Sequence, residues 1–206
     1  MRRRLACYLA ALLIGFVGAH AFAEASELSG KALLGTLKQG GYVVYLRHSI
    51  TDKSKADAQP VNLANCSTQR PLSAEGRALA QQIGRAFASN SVRIDHVVSS
   101  PYCRAKMTAE LAFPSGHRSA AAWLAYSLAM PKSDAAAAAG QLKAALAKKP
   151  ARGENTVIIG HTSNLEDAAG IWPKKEGGAL VFLPGANGDF KLVGAIDPDD
   201  FKASGS

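Results

Sequence analysis

Two histidines and two arginines in this chain of 206 residues have side chains suited to phosphoryl transfer: Arg47, His48, Arg104 and His161. A guanidinium group stays charged and can bind two phosphate oxygens at once. A neutral imidazole nitrogen can attack phosphorus and hold the phosphoryl group covalently. Two cations and a second imidazole would stabilise the charge that develops on the phosphoryl oxygens. Such a scheme needs neither a metal nor a cofactor.

These residues follow segments whose patterns predict alternating strands and helices. Runs rich in β-branched and aromatic residues predict strands, and apolar residues spaced three or four apart predict helices. The alternation predicts an α/β fold, a three-layer sandwich with a central mostly parallel sheet, helices on both faces and an antiparallel edge hairpin. The predicted strands are Tyr42–Leu46, Ile94–Val98, Thr156–Ile159, Leu180–Leu183 and Phe190–Ile196, and the predicted helices begin at Ser29, Ser73, Ser100, Asp134 and Ser163.

Three of the predicted strands end in groups that could bind or attack a phosphate. The first strand leads into Arg47-His48, the second into Ser99-Ser100 ahead of Arg104, and the third into His161. Ligands of open α/β sheets bind beyond the carboxyl ends of the strands. The sequence therefore predicts that these groups meet at one edge of the sheet. The segment 114–131 has no such pattern and is predicted to be a loop with a short helix.

Four sequence blocks together resemble the histidine phosphatase superfamily, also called phosphoglycerate-mutase-like, and suggest its exported small phosphatases. The resemblance implies that His48 is the phosphorylated nucleophile and that His161 contacts the transferring group. It also implies that Arg47 and Arg104 bind phosphate, and that the fold is an α/β sandwich. The blocks are LRHSIT at 46–51, QRPLSAEGRALAQQIG at 69–84, VVSSPYCRAKMTAELAF at 97–113 and VIIGHTSN at 157–164.

The chain departs from the family pattern at three positions. Ser49 stands where a glycine usually follows the first histidine, and Met107 stands where a glutamate is common. The missing glutamate is expected to loosen the pocket. Thr162 follows the second histidine, where one branch of the superfamily has an acid.

The motifs leave the general acid, which protonates the leaving group, unassigned. Glu176 precedes a predicted strand and is the first candidate for this catalytic role, and Asp52, four residues after the nucleophile, is the second. Thr51 is predicted to be a further phosphate ligand.

The first 23 residues have the features of a secretory signal peptide. Three arginines precede an apolar stretch from Leu5 to Ala23 that ends in small residues, which predicts cleavage before Glu24. An uncleaved membrane anchor is the alternative, because nineteen mostly apolar residues nearly span a bilayer. Cleavage would leave one domain, 24–206, in the periplasm or secreted, without stable membrane insertion.

Loss of the signal peptide would leave two cysteines, Cys66 and Cys103. In an oxidising compartment such a pair predicts a disulfide, and two buried free thiols are the alternative. A cysteine nucleophile of the tyrosine-phosphatase type would need an arginine six positions later, where the chain has Leu72 and Ala109.

The charge of the chain favours a small anionic substrate and gives little support for nucleic acid binding. The net charge of +8 falls to +5 when the three arginines of the signal peptide are removed, and the remaining basic residues form no stripe with aromatic residues. The sequence thus predicts a metal-independent phosphomonoesterase that acts on a small phosphorylated substrate, such as an envelope sugar phosphate. A catalytically weak protein that binds a phosphorylated ligand is the alternative.

Overall fold

The computed structural model describes residues 28–202, in which a six-stranded sheet lies between two layers of helices. The predicted signal peptide lies outside the described residues. Within them, no helix is both long and apolar enough to cross a membrane. The strands are β1 Val43–Arg47, β2 Ile94–Ser99, β3 Arg118–Ala120, β4 Asn155–Gly160, β5 Ala179–Pro184 and β6 Phe190–Ile196. The helices are α1 Gly30–Thr36, α2 Ala74–Ser89, α3 Cys103–Ala112, α4 Lys132–Ala147 and α5 Thr162–Ala169.

The order of the strands confirms the predicted sheet. The order is β3-β2-β4-β1-β5-β6, with parallel pairing from β3 to β1 and antiparallel pairing of β5 with both β1 and β6. The predicted hairpin turns at Asn187 and Gly188, which have φ angles of 60° and 77°. Two positive φ angles in succession are typical of the tight turns that fit the twist of a hairpin.

Strand β1 is buried on both faces and joins the two halves of the core. Val44 and Leu46 pack with helices α1, α2 and α3, whereas Val43 and Tyr45 pack with α4 and α5. Because successive side chains of a strand point to opposite faces, one short strand serves both layers. Its carboxyl end is therefore held firmly at the edge where the predicted site lies.

Helix α2 has the predicted start and the predicted apolar face. The Ser73 hydroxyl accepts the N–H of Gly76, as expected of an N-terminal cap. Leu79, Ile83 and Phe87 are buried along one side. A Cβ atom at Gly76 would collide with the carbonyl oxygen of Ile50, so the glycine lets the helix start pack against the chain that leaves β1.

Two predicted boundaries are wrong. Helix α3 begins at Cys103 and not directly after Ser100, because Tyr102 has an extended backbone with a ψ of 138°. Strand β3 lies in a segment predicted to be a loop with a short helix. Its three residues are exposed and lack an apolar pattern, and backbone pairing with β2 holds them in the sheet.

Candidate active site

The three predicted strand ends meet at one edge of the sheet, as the sequence predicted. Strands β2, β4 and β1 are direct neighbours and parallel, so the residues that follow them surround one cavity of about 280 Å³. The charged and imidazole side chains around this cavity are Arg47, His48, Asp57, Arg70, Arg104 and His161.

His48 is fixed by backbone contacts at the end of β1. Its N–H donates to the Gly160 carbonyl over 3.1 Å, and its Nδ1 lies 3.0 Å from the Ser49 carbonyl oxygen. A carbonyl oxygen can only accept, so Nδ1 carries the proton, and the neutral ring keeps its lone pair on Nε2. His48 is predicted to be the nucleophile, and its ring has a nitrogen that is free to attack.

Burial keeps the His48 ring neutral. The residue is only 2 % exposed. Burial lowers the pKa of His48 to about 3, and the nearby positive charge of Arg104 adds to this effect. Both influences disfavour the imidazolium form, which could not attack phosphorus.

His161 lies beside His48, with the two ring centres 5.1 Å apart. Its Nε2 is 2.8 Å from the Ser100 hydroxyl, and its backbone carbonyl accepts the hydroxyl of Tyr45 over 2.7 Å. Gly160 permits the second contact, because a side chain there would collide with the Tyr45 hydroxyl. Burial, followed by the neighbouring His48 ring and arginines, holds the pKa of His161 well below its usual value.

The two arginines predicted to bind phosphate both line the cavity. Arg47 donates through Nη1 to the carbonyls of Pro173 and Lys174, at 3.3 and 2.8 Å. Arg104 is 2 % exposed, and its guanidinium carbon lies 4.5 Å from the centre of the Tyr102 ring. Each guanidinium is thus held in place by groups behind it.

Glu176 and Thr51 do not lie where the sequence analysis expected them. Glu176 accepts the Thr51 hydroxyl over 2.9 Å and the Thr51 N–H over 3.1 Å, and it contacts Arg47 Nη2 at 3.5 Å. Neither residue is among those that line the cavity of the two histidines. The Glu176 carboxylate therefore contacts Arg47 from outside the residues that line the cavity, and its role as general acid stays a prediction. The Thr51 hydroxyl, predicted to be a phosphate ligand, donates instead to Glu176.

A carboxylate that the sequence analysis missed, Asp57, lines the cavity. Both of its oxygens lie near Arg104 Nη1, at 3.0 and 3.1 Å, and one also accepts the N–H of Arg70 over 2.8 Å. No motif surrounds Asp57, so no local signal marked it. The second candidate acid, Asp52, accepts the N–H and hydroxyl of Ser54, which lowers the pKa of its carboxyl group.

Thr108 supports the start of the loop that follows His48. Its hydroxyl accepts the Ser49 N–H over 3.0 Å and donates to the Arg104 carbonyl over 2.7 Å. The Ser49 hydroxyl donates to the Gly76 carbonyl over 2.7 Å. The loop start is therefore joined by hydrogen bonds to helices α2 and α3, although Met107 replaces the expected glutamate.

A disulfide joins the loop to the start of helix α3, as the sequence predicted. Cys66 and Cys103 are bonded, and their Cα atoms are 5.6 Å apart. The Gln69 side chain adds two contacts, because its oxygen accepts the Cys103 N–H over 2.9 Å and its nitrogen donates to the Asn62 carbonyl. These bonds attach the loop to the residue that precedes Arg104.

The cavity has the charge and the free donors expected of an anion site. Three arginines, Arg47, Arg70 and Arg104, line it together with one carboxylate, Asp57. The buried Nε atoms of all three arginines have no hydrogen-bond partner among residues 28–202. Buried donors are usually satisfied, so a bound oxyanion would suit these groups. Within the described part of the chain, no three His, Cys, Asp or Glu side chains are grouped closely enough to hold a metal ion.

The model of a known protein family matches part of this chain. Residues 43–120 match the family model described as the histidine phosphatase superfamily, branch 1. The matched segment contains Arg47, His48 and Arg104. A search of curated proteins finds no match.

Several solved structures have the same fold at low sequence identity. The protein histidine phosphatase SixA, in complex with tungstate, is 21% identical, with a TM-score of 0.55 over 78% of this chain and 99% of that one. A mycobacterial glucosyl-3-phosphoglycerate phosphatase is 16% identical, with a TM-score of 0.56 over 77% of this chain and 100% of the other. A phosphoserine phosphatase from Entamoeba histolytica, in complex with 3-phosphoglyceric acid, is 14% identical, with a TM-score of 0.55 over 78% and 99%.

The family match and the structural likeness agree with the four sequence blocks and with the cavity that they form. The matched segment covers the first histidine and both predicted phosphate-binding arginines. Strand β4 then adds the second histidine from outside that segment. Residues 43–120 are thus similar to the histidine phosphatase superfamily, branch 1, and the described chain has the fold of these solved phosphatases.

Proposed function

We propose that the protein is a metal-independent phosphomonoesterase that acts through a phosphohistidine at His48. The observation that carries the proposal is the state of His48, a buried neutral imidazole whose Nε2 is free beside His161 and the arginines. Arg47 and Arg104 would hold the phosphate oxygens, and His161 would contact the group in transfer. A relative of the same fold was solved with tungstate, an oxyanion that resembles phosphate.

The reaction would proceed in two displacements. His48 Nε2 attacks the phosphorus, so that a nitrogen–phosphorus bond forms while the ester oxygen–phosphorus bond breaks. The leaving oxygen takes a proton. A water molecule then attacks the phosphohistidine, the nitrogen–phosphorus bond breaks, and phosphate and free His48 result. The proton that this water releases replaces the one given to the leaving group.

Asp57 replaces Glu176 as the proposed proton donor in this scheme. A guanidinium binds a phosphate as readily as a carboxylate, so an incoming phosphate can displace Asp57 from Arg104. The displaced carboxyl would then lie beside an anionic phosphate, where a proton relieves the repulsion between two anions. That proton could be given to the leaving oxygen and later recovered from water.

A chromogenic aryl phosphate tests the activity directly. We expect turnover of 4-nitrophenyl phosphate that is unaffected by a metal chelator. Its good leaving group needs little help from an acid, so a complete lack of turnover would contradict the proposal. Enzyme quenched in alkali during turnover should carry an added phosphoryl mass on the peptide that contains His48.

One observation favours a second function, the binding of a phosphorylated ligand with little or no catalysis. The carboxylate best placed to act as an acid, Asp57, is bound to Arg104. If it stayed there when a ligand binds, alkyl phosphates would bind without being cleaved. Tight binding of phosphate by a protein that turns over no aryl phosphate would establish this function.

We further propose that the protein acts outside the cytoplasm on a small phosphorylated compound, of which an envelope sugar phosphate is one example. The disulfide supports this location, since disulfides persist in oxidising compartments. A cavity of about 280 Å³ suits a phosphate group with a small organic part. Expression of the full chain in a bacterium with a periplasm, followed by mass measurement, should give a protein that begins at Glu24. An intact N-terminus in the membrane fraction would contradict cleavage.

A further inference from the structure

Arg70 lies between two cavities and has no assigned role. It lines the cavity of the two histidines and also a neighbouring surface groove of about 510 Å³. Arg47 is the other residue that lines both. A substrate whose phosphate lies against His48 can therefore extend past these two arginines into the groove.

The Arg70 guanidinium differs from the other two guanidinium groups in having no protein partner. Arg47 contacts Glu176 and Arg104 contacts Asp57. The side chain of Arg70 forms no hydrogen bond or ion pair with another residue of the described chain, and its Nε is buried without a partner. A buried, unpaired cationic donor is costly unless an anion accepts from it.

The groove beyond Arg70 is positively charged. Lys53, Lys174 and Lys175 line it, and its carboxylate, Glu176, is already bound by Arg47 and Thr51. Lys175 is paired with Asp197 at 2.6 Å, which leaves the other two lysines without a carboxylate partner among residues 28–202. The free positive charge thus continues outward from Arg70.

The backbone of Arg70 is fixed before any ligand arrives. Its N–H donates to Asp57, and the preceding Gln69 is bonded to both Cys103 and Asn62. Two residues later, Leu72 pairs with Thr51 through the backbone. A side chain on such a support loses less freedom on binding, so it can select a ligand group by position.

We propose that the substrate of this protein carries a second anionic group, a carboxylate or a second phosphate, and that Arg70 binds this group at the mouth of the groove. Lys53 and Lys174 add attraction without a fixed geometry. This inference rests on the proposed function for its catalytic test, but its binding test does not require turnover.

Matched aryl phosphates test the preference for a second anion. 4-Carboxyphenyl phosphate and 4-carbamoylphenyl phosphate have nearly the same size, and only the first has the extra charge. 3-Carboxyphenyl phosphate and 3-carbamoylphenyl phosphate place the same two groups at a second position of the ring. We expect kcat/KM of the wild type to be roughly tenfold or more higher for a carboxylate than for its amide, since a charged hydrogen bond contributes about that much.

The Arg70→Gln variant should bring this ratio close to one, mainly through the carboxylate substrate. Lys148→Gln is the matched control. It removes one positive charge at the end of α4, just before the amino end of β4 and so at the opposite edge of the sheet, and it should leave the ratio unchanged. The double variant Lys53→Gln/Lys174→Gln should lower the ratio only in part, and more at low salt than at high salt.

Two results would overturn the inference. A wild-type ratio near one for both the 3- and 4-substituted pairs would show that no second anion is selected. An equal loss on the acid and the amide in Arg70→Gln would show that Arg70 binds only the transferred phosphate.

Non-hydrolysable ligands separate this inference from the proposed function. The dissociation constants of 4-carboxybenzylphosphonate and 4-carbamoylbenzylphosphonate can be measured by calorimetry on an inactive protein as well as on an active one. A preference for the acid that depends on Arg70, without aryl phosphatase activity, would support the inference and refute the proposed function. Turnover of both aryl phosphates without any preference would support the proposed function and refute this inference.

Discussion

The cavity has two walls that are built differently. The strand wall consists of Arg47 at the end of β1, His48 directly after it, and His161 directly after β4. The loop wall consists of residues 56–70, of which Ala56, Asp57, Gln59 and Arg70 line the cavity. Backbone pairing and burial fix the strand wall, whereas a disulfide and a few side-chain contacts hold the loop wall.

This difference suggests that the two walls have different roles in the reaction. His48 and His161 are each 2 % exposed, and the sheet fixes their distance, which suits a nucleophile that must attack along one line. Most residues of the loop wall are exposed, and a loop with few buried contacts opens at lower cost than the core. We therefore expect changes in the strand wall to abolish chemistry. Changes in the loop wall should alter binding and substrate preference, except at Asp57, the proposed proton donor.

The largest effect is expected from His48→Ala, which removes the proposed nucleophile from the strand wall. Turnover of 4-nitrophenyl phosphate should fall roughly 10⁴-fold or more. His48→Asn, which keeps more of the buried volume, should be equally inactive. Circular dichroism should show an unchanged fold for at least one of the two variants.

His96→Ala is the matched control for these variants. His96 lies on β2, where its Nε2 contacts the Ser119 hydroxyl, away from the cavity. Its replacement should leave activity intact. Wild-type turnover by a folded His48 variant would mean that the strand wall does not supply the nucleophile.

The second effect tests whether the loop wall contributes to chemistry. Asp57→Asn should lower kcat for an alkyl phosphate such as glycerol 3-phosphate about 100-fold, because a general acid typically contributes that much or more. The loss on 4-nitrophenyl phosphate should be much smaller, since its leaving group is stable without a proton.

Glu176→Gln provides the comparison for Asp57→Asn. Glu176 orients Arg47, so its loss should raise KM for both substrates alike and should not depend on the leaving group. If Glu176→Gln, and not Asp57→Asn, shows the dependence on the leaving group, the original assignment of Glu176 as the acid is correct.

The strand wall could be predicted from the sequence, because its residues directly follow predictable strands. The run before Arg47-His48 is apolar on both faces, and the run before His161 has the same character, so strand ends marked the site. The disulfide could also be predicted, because the predicted signal peptide implies an oxidising compartment and would leave only one pair of cysteines. The predicted disulfide therefore also indicated that the loop wall is attached to the start of helix α3.

The inner contacts of the loop wall could not be predicted in this way. Asp57 meets Arg104 across 47 residues of chain, and nothing near Asp57 in the sequence signals that contact. Glu176 is predicted as an acid because it precedes a strand, and the sequence does not show that its carboxylate contacts Arg47 and Thr51. The position of Ser100 shows the same limit, since its contact with His161 joins residues that are 61 apart in the chain.

Removal of the disulfide should give the third effect, on the loop wall alone. In the entropic account, closing a span of 37 residues stabilises the fold by roughly 4 kcal/mol, although engineered disulfides often give less. The double variant Cys66→Ser/Cys103→Ser should melt at a lower temperature and have a larger KM, because Arg104 follows Cys103 directly. Its kcat should change little.

Treatment with a reductant distinguishes the loss of the disulfide from a packing defect caused by the two serine substitutions. It should lower the melting temperature of the wild type and leave the double variant unchanged. Thiol titration of denatured, unreduced protein should find no reactive thiol from these two cysteines. An unchanged KM in the double variant would show that the loop wall does not need the disulfide to position Arg104.

The smallest effect concerns the cost of burying two neutral histidines in the strand wall. The pKa of His48 is lowered to about 3 and that of His161 well below its usual value, so neither ring takes a proton in the folded protein at mildly acidic pH. The unfolded chain takes up these protons near pH 6.5. The free energy of unfolding should therefore fall as the pH drops below about 6.5. The fall should continue until the pH reaches the lowered pKa values of the two histidines.

Each histidine can contribute a slope of up to about 1.4 kcal/mol per pH unit in this window. His48→Gln removes one of the two contributions, so its stability should fall less steeply than that of the wild type between pH 6 and 4.5. Denaturant titrations at several pH values measure the two slopes, with pH 8 as the reference at which both contributions are small. Equal slopes would mean that His48 takes up its proton in the folded state, which would make it a poor nucleophile and remove the physical basis for assigning the chemistry to the strand wall.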